Sequence, residues 1–199
     1  MATGLDSRED GRRFLELASR WLVSLPHDLR ILFEAKDDPN LDRAAREIAA
    51  AAIICALTPD AAGEGEFSAF ADDAILLHDA LARIVTLGGE GAADFQTRFA
   101  EYFDGLDADL AICRNLLGDD YAWLVANKLD ALGRLTYKQK KLALYLDDDE
   151  AVEQLYDDGL AFGTNYPIDE EKIEMRLRKP ETLIEALRRK AVTESKKQA

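Results

Sequence analysis

The amino-acid sequence predicts an all-α protein, a compact bundle of about eight or nine helices. The 199 residues include only five prolines, so long stretches are free of helix breakers. These stretches are rich in Ala, Leu, Glu, Arg and Asp, which are mostly good helix formers. Apolar residues recur in them at helical spacing, and we find no convincing alternation of the kind that strands show.

Proline and glycine mark the predicted ends of the first helices. An apolar stripe at helical spacing runs from Phe14 to Leu25, and Pro26 is expected to end this helix before a second, short one over residues 27–35. The alanine-rich run at 48–57 indicates a core helix packed closely on all sides. A further helix ends at Gly88. We take that glycine as the boundary between an N-terminal half, residues 1–88, and a C-terminal half, residues 89–199.

The second half holds a further series of helices. Apolar stripes over residues 95–103, 110–117 and 121–132 predict three of them. Thr136 and Gln139 match a capping box that would start a helix over residues 138–146. Asp147 and Glu150 match another, which would start the next helix.

Composition restricts the kind of protein. Apolar residues make up 48% and charged residues 32% of the chain, which is typical of an ordered globular protein. The first residues lack the apolar core of a signal peptide, and the longest apolar run has about half the length of a membrane-spanning helix. Cys55 and Cys113 lack metal-ligand spacing and are expected to be buried thiols. We therefore expect a soluble cytoplasmic protein with no transmembrane segment.

Charge is distributed unevenly along the chain. The net charge is −14, which argues against binding of nucleic acid or anionic lipid by the body of the protein. Residues 176–199, in contrast, hold eight basic and three acidic residues, so this segment is +5 and the remainder is −19.

The basic C-terminal segment is amphipathic. Leu183 and Leu187 lie on one side of its predicted helix, and Arg188, Arg189 and Lys190 mostly face away. We expect this helix to dock on the acidic body. The alternative is an arm on which the three cations bind an acidic partner, nucleic acid or a membrane surface.

One stretch, LTPDAAGEGEFSAFADDAILLHDALARI, carries a pattern of its own: a Pro59-Asp60 turn after an Ala/Leu-rich helix, a loop with glycine, and an Asp72-Asp73 pair that opens an apolar helix. This pattern resembles the YkvA-like family of small bacterial helical domains over about residues 38–87. The resemblance implies a helical fold. Because the family's activity is unsettled, it implies no reaction. The family's hydrophobic Ile-Pro-Asp-rich loop is replaced here by AAGEGEFSAF, so the resemblance does not support a membrane-proximal role.

Four aspartates are candidates for a divalent metal site. Asp72 and Asp79 are seven residues apart and share a helix face, with Asp73 at its edge, and a short loop could bring Asp60 toward them. Carboxylate oxygens that converge at a turn can bind a hard cation. The alternative is structural, because acids in the first turn of a helix stabilise its positive end.

Both histidines precede an aspartate, in His27-Asp28 and His78-Asp79. A His, then a His-Asp pair, then a later Asp on helices resembles the ligand set of the HD-type metal phosphohydrolases, in which a divalent metal activates water. The alternative places these residues on polar helix faces.

The sequence contains no nucleophile elbow, P-loop or dinucleotide-binding glycine pattern. We therefore predict a non-catalytic interaction or regulatory protein that uses its acidic surface and its basic tail as contact features, with a protein partner and no required cofactor. The alternative is a metal-dependent HD-like phosphohydrolase, for which a divalent metal is possible. The sequence leaves the oligomeric state open.

Overall fold

A computed structural model describes residues 6–58, 66–176, 183–185 and 187–189. These ranges contain ten α-helices, eight of them at least seven residues long, and one antiparallel hairpin, so the predicted all-α class is confirmed. None of the helices in these ranges is long and apolar enough to cross a membrane. In chain order the elements are α1 (Asp6–Asp37), α2 (Arg43–Leu57), α3 (Glu66–Leu87), α4 (Ala92–Arg98), α5 (Ala100–Phe103), α6 (Leu106–Leu117), α7 (Asp119–Lys128), β1 (Thr136–Tyr137), β2 (Lys140–Lys141), α8 (Leu144–Asp147), α9 (Asp149–Asn165) and α10 (Glu170–Arg176).

Helices α1, α2 and α3 pack against one another and form the centre of the core. The alanines at 49–52 of α2 are all buried, because their small side chains allow α1 and α3 to approach closely. Ile53 and Ile54 are fully buried in the same cluster as Phe14 of α1 and Ile75 of α3. The predicted core helix is thus confirmed.

The buried cluster also includes side chains from beyond Gly88, among them Phe95, Leu110 and Leu155. Helices α6 and α9 both contact α1, so elements of the second half pack on the first. The division into an N-terminal half, residues 1–88, and a C-terminal half, residues 89–199, stays a prediction.

Pro26 does not end the first helix, contrary to expectation, and α1 continues to Asp37. A proline has no N–H group, so the carbonyl of Leu22, four residues earlier, loses its helical donor. The hydroxyl of Tyr166, which follows α9, donates to this carbonyl at 2.7 Å. A hydrogen bond from a distant part of the chain thus replaces the missing helical one.

Thr136 and Gln139 do not form the predicted capping box, because both belong to the hairpin of β1 and β2. Lys138 and Gln139 form its turn with φ of 44° and 67°, left-handed values that cost about 1–2 kcal/mol per non-glycine residue. The hairpin is attached to α9: the Tyr137 hydroxyl and the Lys138 ammonium donate to Asp158 at 3.0 and 2.7 Å. These contacts with α9 override the local helical pattern.

Helix α9 begins at a capping residue one position later than predicted. The carboxylate of Asp148 accepts a hydrogen bond from the Ala151 amide at 2.9 Å. Farther along, Gly159 meets the Phe33 ring of α1, where a Cβ would lie 2.7 Å from the nearest ring carbon. The absence of a side chain at this glycine therefore lets α9 lie directly against α1.

The C-terminal segment, described at 183–185 and 187–189, docks on the body as expected. Leu183 and Leu187 are buried. The Arg188 guanidinium donates to a backbone carbonyl of α6 at 3.2 Å and lies 3.6 Å from a carboxylate of α7. Arg188 and Arg189 are exposed, and Lys190 lies outside the described residues, so their role in partner binding stays a prediction.

Candidate functional site

Helix α3 carries four buried polar side chains where the sequence predicts a site. Asp72, Asp73, His78 and Asp79 are each at most 6% exposed. The structural alternative placed Asp72 and Asp73 in the first turn of their helix. This is wrong, because α3 begins at Glu66, so both aspartates lie beyond the first turn and do not stabilise its positive N-terminal end. Their environment is therefore the interior.

The metal prediction is only partly covered by the structure. In the described part of the chain, no group of three or more His, Cys, Asp or Glu side chains is placed to hold a metal ion. Asp60, the fourth predicted ligand, lies outside that part. A site that includes Asp60 together with Asp72, Asp73 and Asp79 stays a prediction.

His78 faces Asp28 of α1 across the core. Its Nδ1 is 2.8 Å from the carbonyl of Ala74, so this nitrogen carries the proton and donates. Its Nε2 consequently points its lone pair at Asp28 Oδ2, 3.6 Å away. The imidazole stacks on Trp21 with ring centroids 3.9 Å apart, and the Ser24 hydroxyl donates to the Asp28 carboxylate.

Burial determines the charge of this pair. Desolvation raises the pKa of Asp28 to about 6, against the opposing hydrogen bond from Ser24. Desolvation also lowers the pKa of His78 to about 3. The imidazole is therefore neutral at physiological pH. A proton taken up near pH 6 goes to the carboxyl group, which can then donate toward Nε2.

The other histidine does not join this pair. His27 is exposed and stacks on Tyr102 at a centroid distance of 6.0 Å. Of the two His-Asp dipeptides, the structure brings together the aspartate of the first, Asp28, and the histidine of the second, His78.

The remaining aspartate, Asp79, is held by a separate group of side chains. The Tyr121 hydroxyl of α7 donates to one carboxylate oxygen, and Arg83 Nε donates to the other at 2.7 Å. A guanidinium nitrogen of Arg114 lies 3.7 Å away, and Arg83 also reaches Asp130. Burial and the bond to the carboxylate raise the pKa of the Tyr121 phenol.

This group borders an open cleft of about 490 Å³ between α3, α6 and α7. Asp107 and Asp130 line it together with Arg83 and Arg114, so positive and negative charges alternate along its walls. Both oxygens of Asp79 are already engaged by donors. The arrangement is that of an ion-pair network in the wall of the cleft.

Both cysteines are buried and neither forms a disulfide, as predicted. Burial raises the pKa of Cys113 to about 12, so this thiol is protonated at neutral pH and is a poor nucleophile.

A different kind of surface lies on α9. Tyr156 and Leu160, one helical turn apart, are 39% and 69% exposed, and Leu160 is the most exposed large apolar residue among those described. Glu153 and Asp157 lie on the same side at helical spacing, and Glu34 of α1 is close enough for its charge to raise the pKa of Tyr156. We call these five residues the acidic face.

The acidic face rests on a rigid base. The Tyr156 ring stacks on Phe33 with centroids 4.6 Å apart, and its hydroxyl donates to Asp37. Beneath it the fully buried Lys36 pairs with Asp37, and its ammonium lies 5.2 Å from the centre of the Tyr156 ring. The aromatic ring is therefore fixed while one side of it remains open.

Sequence reasoning predicted an acidic contact surface but did not locate it on α9. A signal was present, because α9 carries five acidic residues and no Lys or Arg. The exposure of Leu160 depends on how α9 packs on α1, which no local pattern reports.

No family model, no curated protein and no solved structure matches this chain. What the fold and the candidate sites define is therefore a class, an all-α protein with buried polar groups on α3 and, among the described residues, an exposed acidic face on α9. The resemblance to the YkvA-like family over residues 38–87 stays a prediction.

Proposed function

We propose that this chain is a non-catalytic interaction or regulatory protein of the cytoplasm, and that it binds a protein partner through the acidic face. The observation that carries the proposal is the exposed pair of Tyr156 and Leu160, one turn apart on α9, with the acids Glu153 and Asp157 on the same side of the helix. Adjacent apolar side chains within a polar rim are typical of protein contact sites.

The interior supports a non-catalytic function. The Asp79 carboxylate is engaged by Tyr121 and Arg83. His78 is buried against Trp21 and donates to its own helix. A general base needs a free acceptor within reach of a substrate, whereas both oxygens of Asp79 already accept hydrogen bonds and His78 is buried.

Site-specific photo-crosslinking in the source cells tests the proposal. A photoreactive amino acid placed at Leu160 should give one discrete protein adduct. The control is Leu87, an exposed leucine (39%, against 69% for Leu160) at the end of α3, outside the acidic face. Adducts of equal yield at both positions, or none at Leu160, would contradict the proposed contact surface.

A hydrolysis assay tests the catalytic alternative. The purified chain with Mg²⁺ or Mn²⁺ should hydrolyse neither nucleotides nor a phosphodiester. Metal-dependent hydrolysis that disappears in His78→Gln, with the melting temperature unchanged, would replace our proposal with the HD-like phosphohydrolase.

A further inference from the structure

We propose that the acidic face binds a basic amphipathic helix of a partner protein, laid along α9. This inference rests on the proposed function and specifies its partner: the helix places apolar side chains on Tyr156 and Leu160 and lysines or arginines beside the surrounding carboxylates.

Charge is the first argument. Glu34, Glu153 and Asp157 make no ion pair within the described part of the chain. The other acids nearby are engaged: Asp158 binds Lys138, and Asp37 binds Lys36. The acidic face thus presents three uncompensated carboxylates within a chain of net charge −14, so it attracts cations and repels nucleic acid and anionic membranes.

Shape is the second argument. Glu153 and Leu160 are seven residues apart, about 10 Å along the axis of α9, which is two helical turns. An exposed helical ridge of this length fits a second helix whose apolar residues recur at three- and four-residue spacing. Tyr156 is already fixed by Phe33 and Asp37, so binding immobilises little at that position.

The same features disfavour a second copy of the acidic face as the occupant. Two such faces in contact would oppose six carboxylates, and like charges across an interface are destabilising. The patch is also small, which favours a transient complex over a permanent one.

The test uses the full chain and a fluorescent 18-residue peptide with leucines on one helical face and lysines on the rest. A peptide of the same composition in scrambled order is the control for helical shape. Fluorescence anisotropy should show binding of the amphipathic peptide, weaker at higher salt, and at least several-fold weaker binding of the scrambled one.

Two double variants with the same change in net charge distinguish peptide binding at the acidic face from non-specific attraction to the negatively charged protein. Glu153→Lys with Asp157→Lys should weaken binding of the amphipathic peptide by roughly tenfold or more, because attraction becomes repulsion on the face itself. Glu101→Lys with Asp104→Lys makes the same change in net charge at exposed positions around α5, and should weaken binding by about twofold or less. Leu160→Ala should weaken binding several-fold with an unchanged melting temperature.

Three results would overturn the inference: equal weakening by both double variants, equal affinity for the scrambled peptide, or no binding of the amphipathic peptide. Sedimentation of the chain alone adds a fourth, because self-association that is lost in Leu160→Ala would make a second copy the occupant. If Leu160 gives crosslinks to a partner but the amphipathic peptide does not bind, the acidic face is still a contact surface and only the basic helix is rejected as its partner.

Discussion

Helices α3 and α9 both carry several acidic residues, yet the two helices use them in opposite ways. The aspartates of α3 at 72, 73 and 79 are buried. On α9, in contrast, Glu153 and Asp157 face outward beside the exposed Leu160. The comparison shows that the position of an acid relative to the packed side of its helix, and not its presence in the sequence, determines its role.

The difference has an energetic basis. A buried carboxylate needs donors, because its desolvation costs several kcal/mol, and Asp79 obtains them from Tyr121 and Arg83. An exposed carboxylate is solvated by water and contributes little to folding. Glu153 and Asp157 of α9 can therefore be substituted at little cost to stability, whereas Asp79 of α3 is tied to the fold.

Two leucines of α9 should differ most in how much stability is lost when each is replaced by alanine. Leu155 is fully buried and Leu160 is 69% exposed on the same helix. Leu155→Ala should lower the free energy of unfolding by about 2–5 kcal/mol, because it leaves a cavity. Leu160→Ala should change it by less than about 0.5 kcal/mol. Urea denaturation measures both, and similar losses at the two positions would show that α9 does not pack with the orientation described.

The expected difference in stability loss between a buried and an exposed aspartate, Asp79 and Asp157, is somewhat smaller. Asp79→Ala leaves the buried Tyr121 hydroxyl and the Arg83 guanidinium without their acceptor, so we expect a loss of ~2–4 kcal/mol. Asp157→Ala should be neutral within about 0.5 kcal/mol. A neutral result for Asp79→Ala in the same denaturation experiment would contradict the hydrogen bonds described for Asp79.

The buried pair of Asp28 and His78 predicts an effect that depends on pH. The pKa of Asp28 is raised to about 6 from an unfolded value near 4, so its stabilising contribution is complete below pH ~4 and is lost as the pH rises through 6. Asp28→Asn removes the buried charge and should therefore stabilise the protein at pH 8 by ~2 kcal/mol. At pH 4 the substitution should be close to neutral.

His78 adds an opposite pH dependence of stability, because burial lowers its pKa to about 3. Its contribution is present above the unfolded value near 6.5 and is lost as the pH falls toward 3. Between pH 6.5 and 4 the two residues of the wild type oppose each other and their effects nearly cancel. In Asp28→Asn only the histidine remains, so stability should fall on acidification over this range. Parallel pH profiles for the two proteins would contradict the pairing.

Much of the fold was predictable because it depends on local periodicity. The core run at 48–57, the helix over 66–87 and the docked leucines at 183 and 187 all follow from apolar spacing. The two clear errors have a common cause. Pro26 and the turn at Lys138 and Gln139 adopt conformations that local preference disfavours, and in each case a residue distant in the chain supplies the compensating contact.

The candidate site was less predictable for the same reason. The sequence singles out His78 and Asp79 correctly as unusual, but their partners Asp28 and Tyr121 lie about 50 and 42 residues away. The acidic face combines α1 with α9, and no periodicity within one helix relates Glu34 to Tyr156.

The hydrogen bond that compensates for Pro26 gives the smallest predicted effect and the most specific one. Tyr166→Phe removes the hydroxyl that donates to the Leu22 carbonyl and should cost ~1 kcal/mol. In a Pro26→Ala background the alanine N–H can donate to the same carbonyl, so Tyr166→Phe should cost measurably less. A double-mutant cycle should therefore give a coupling energy of ~0.5–1 kcal/mol. A coupling energy of zero would mean that Tyr166 stabilises the helix only through its ring, which packs against Phe70 and Phe162 and remains in the variant.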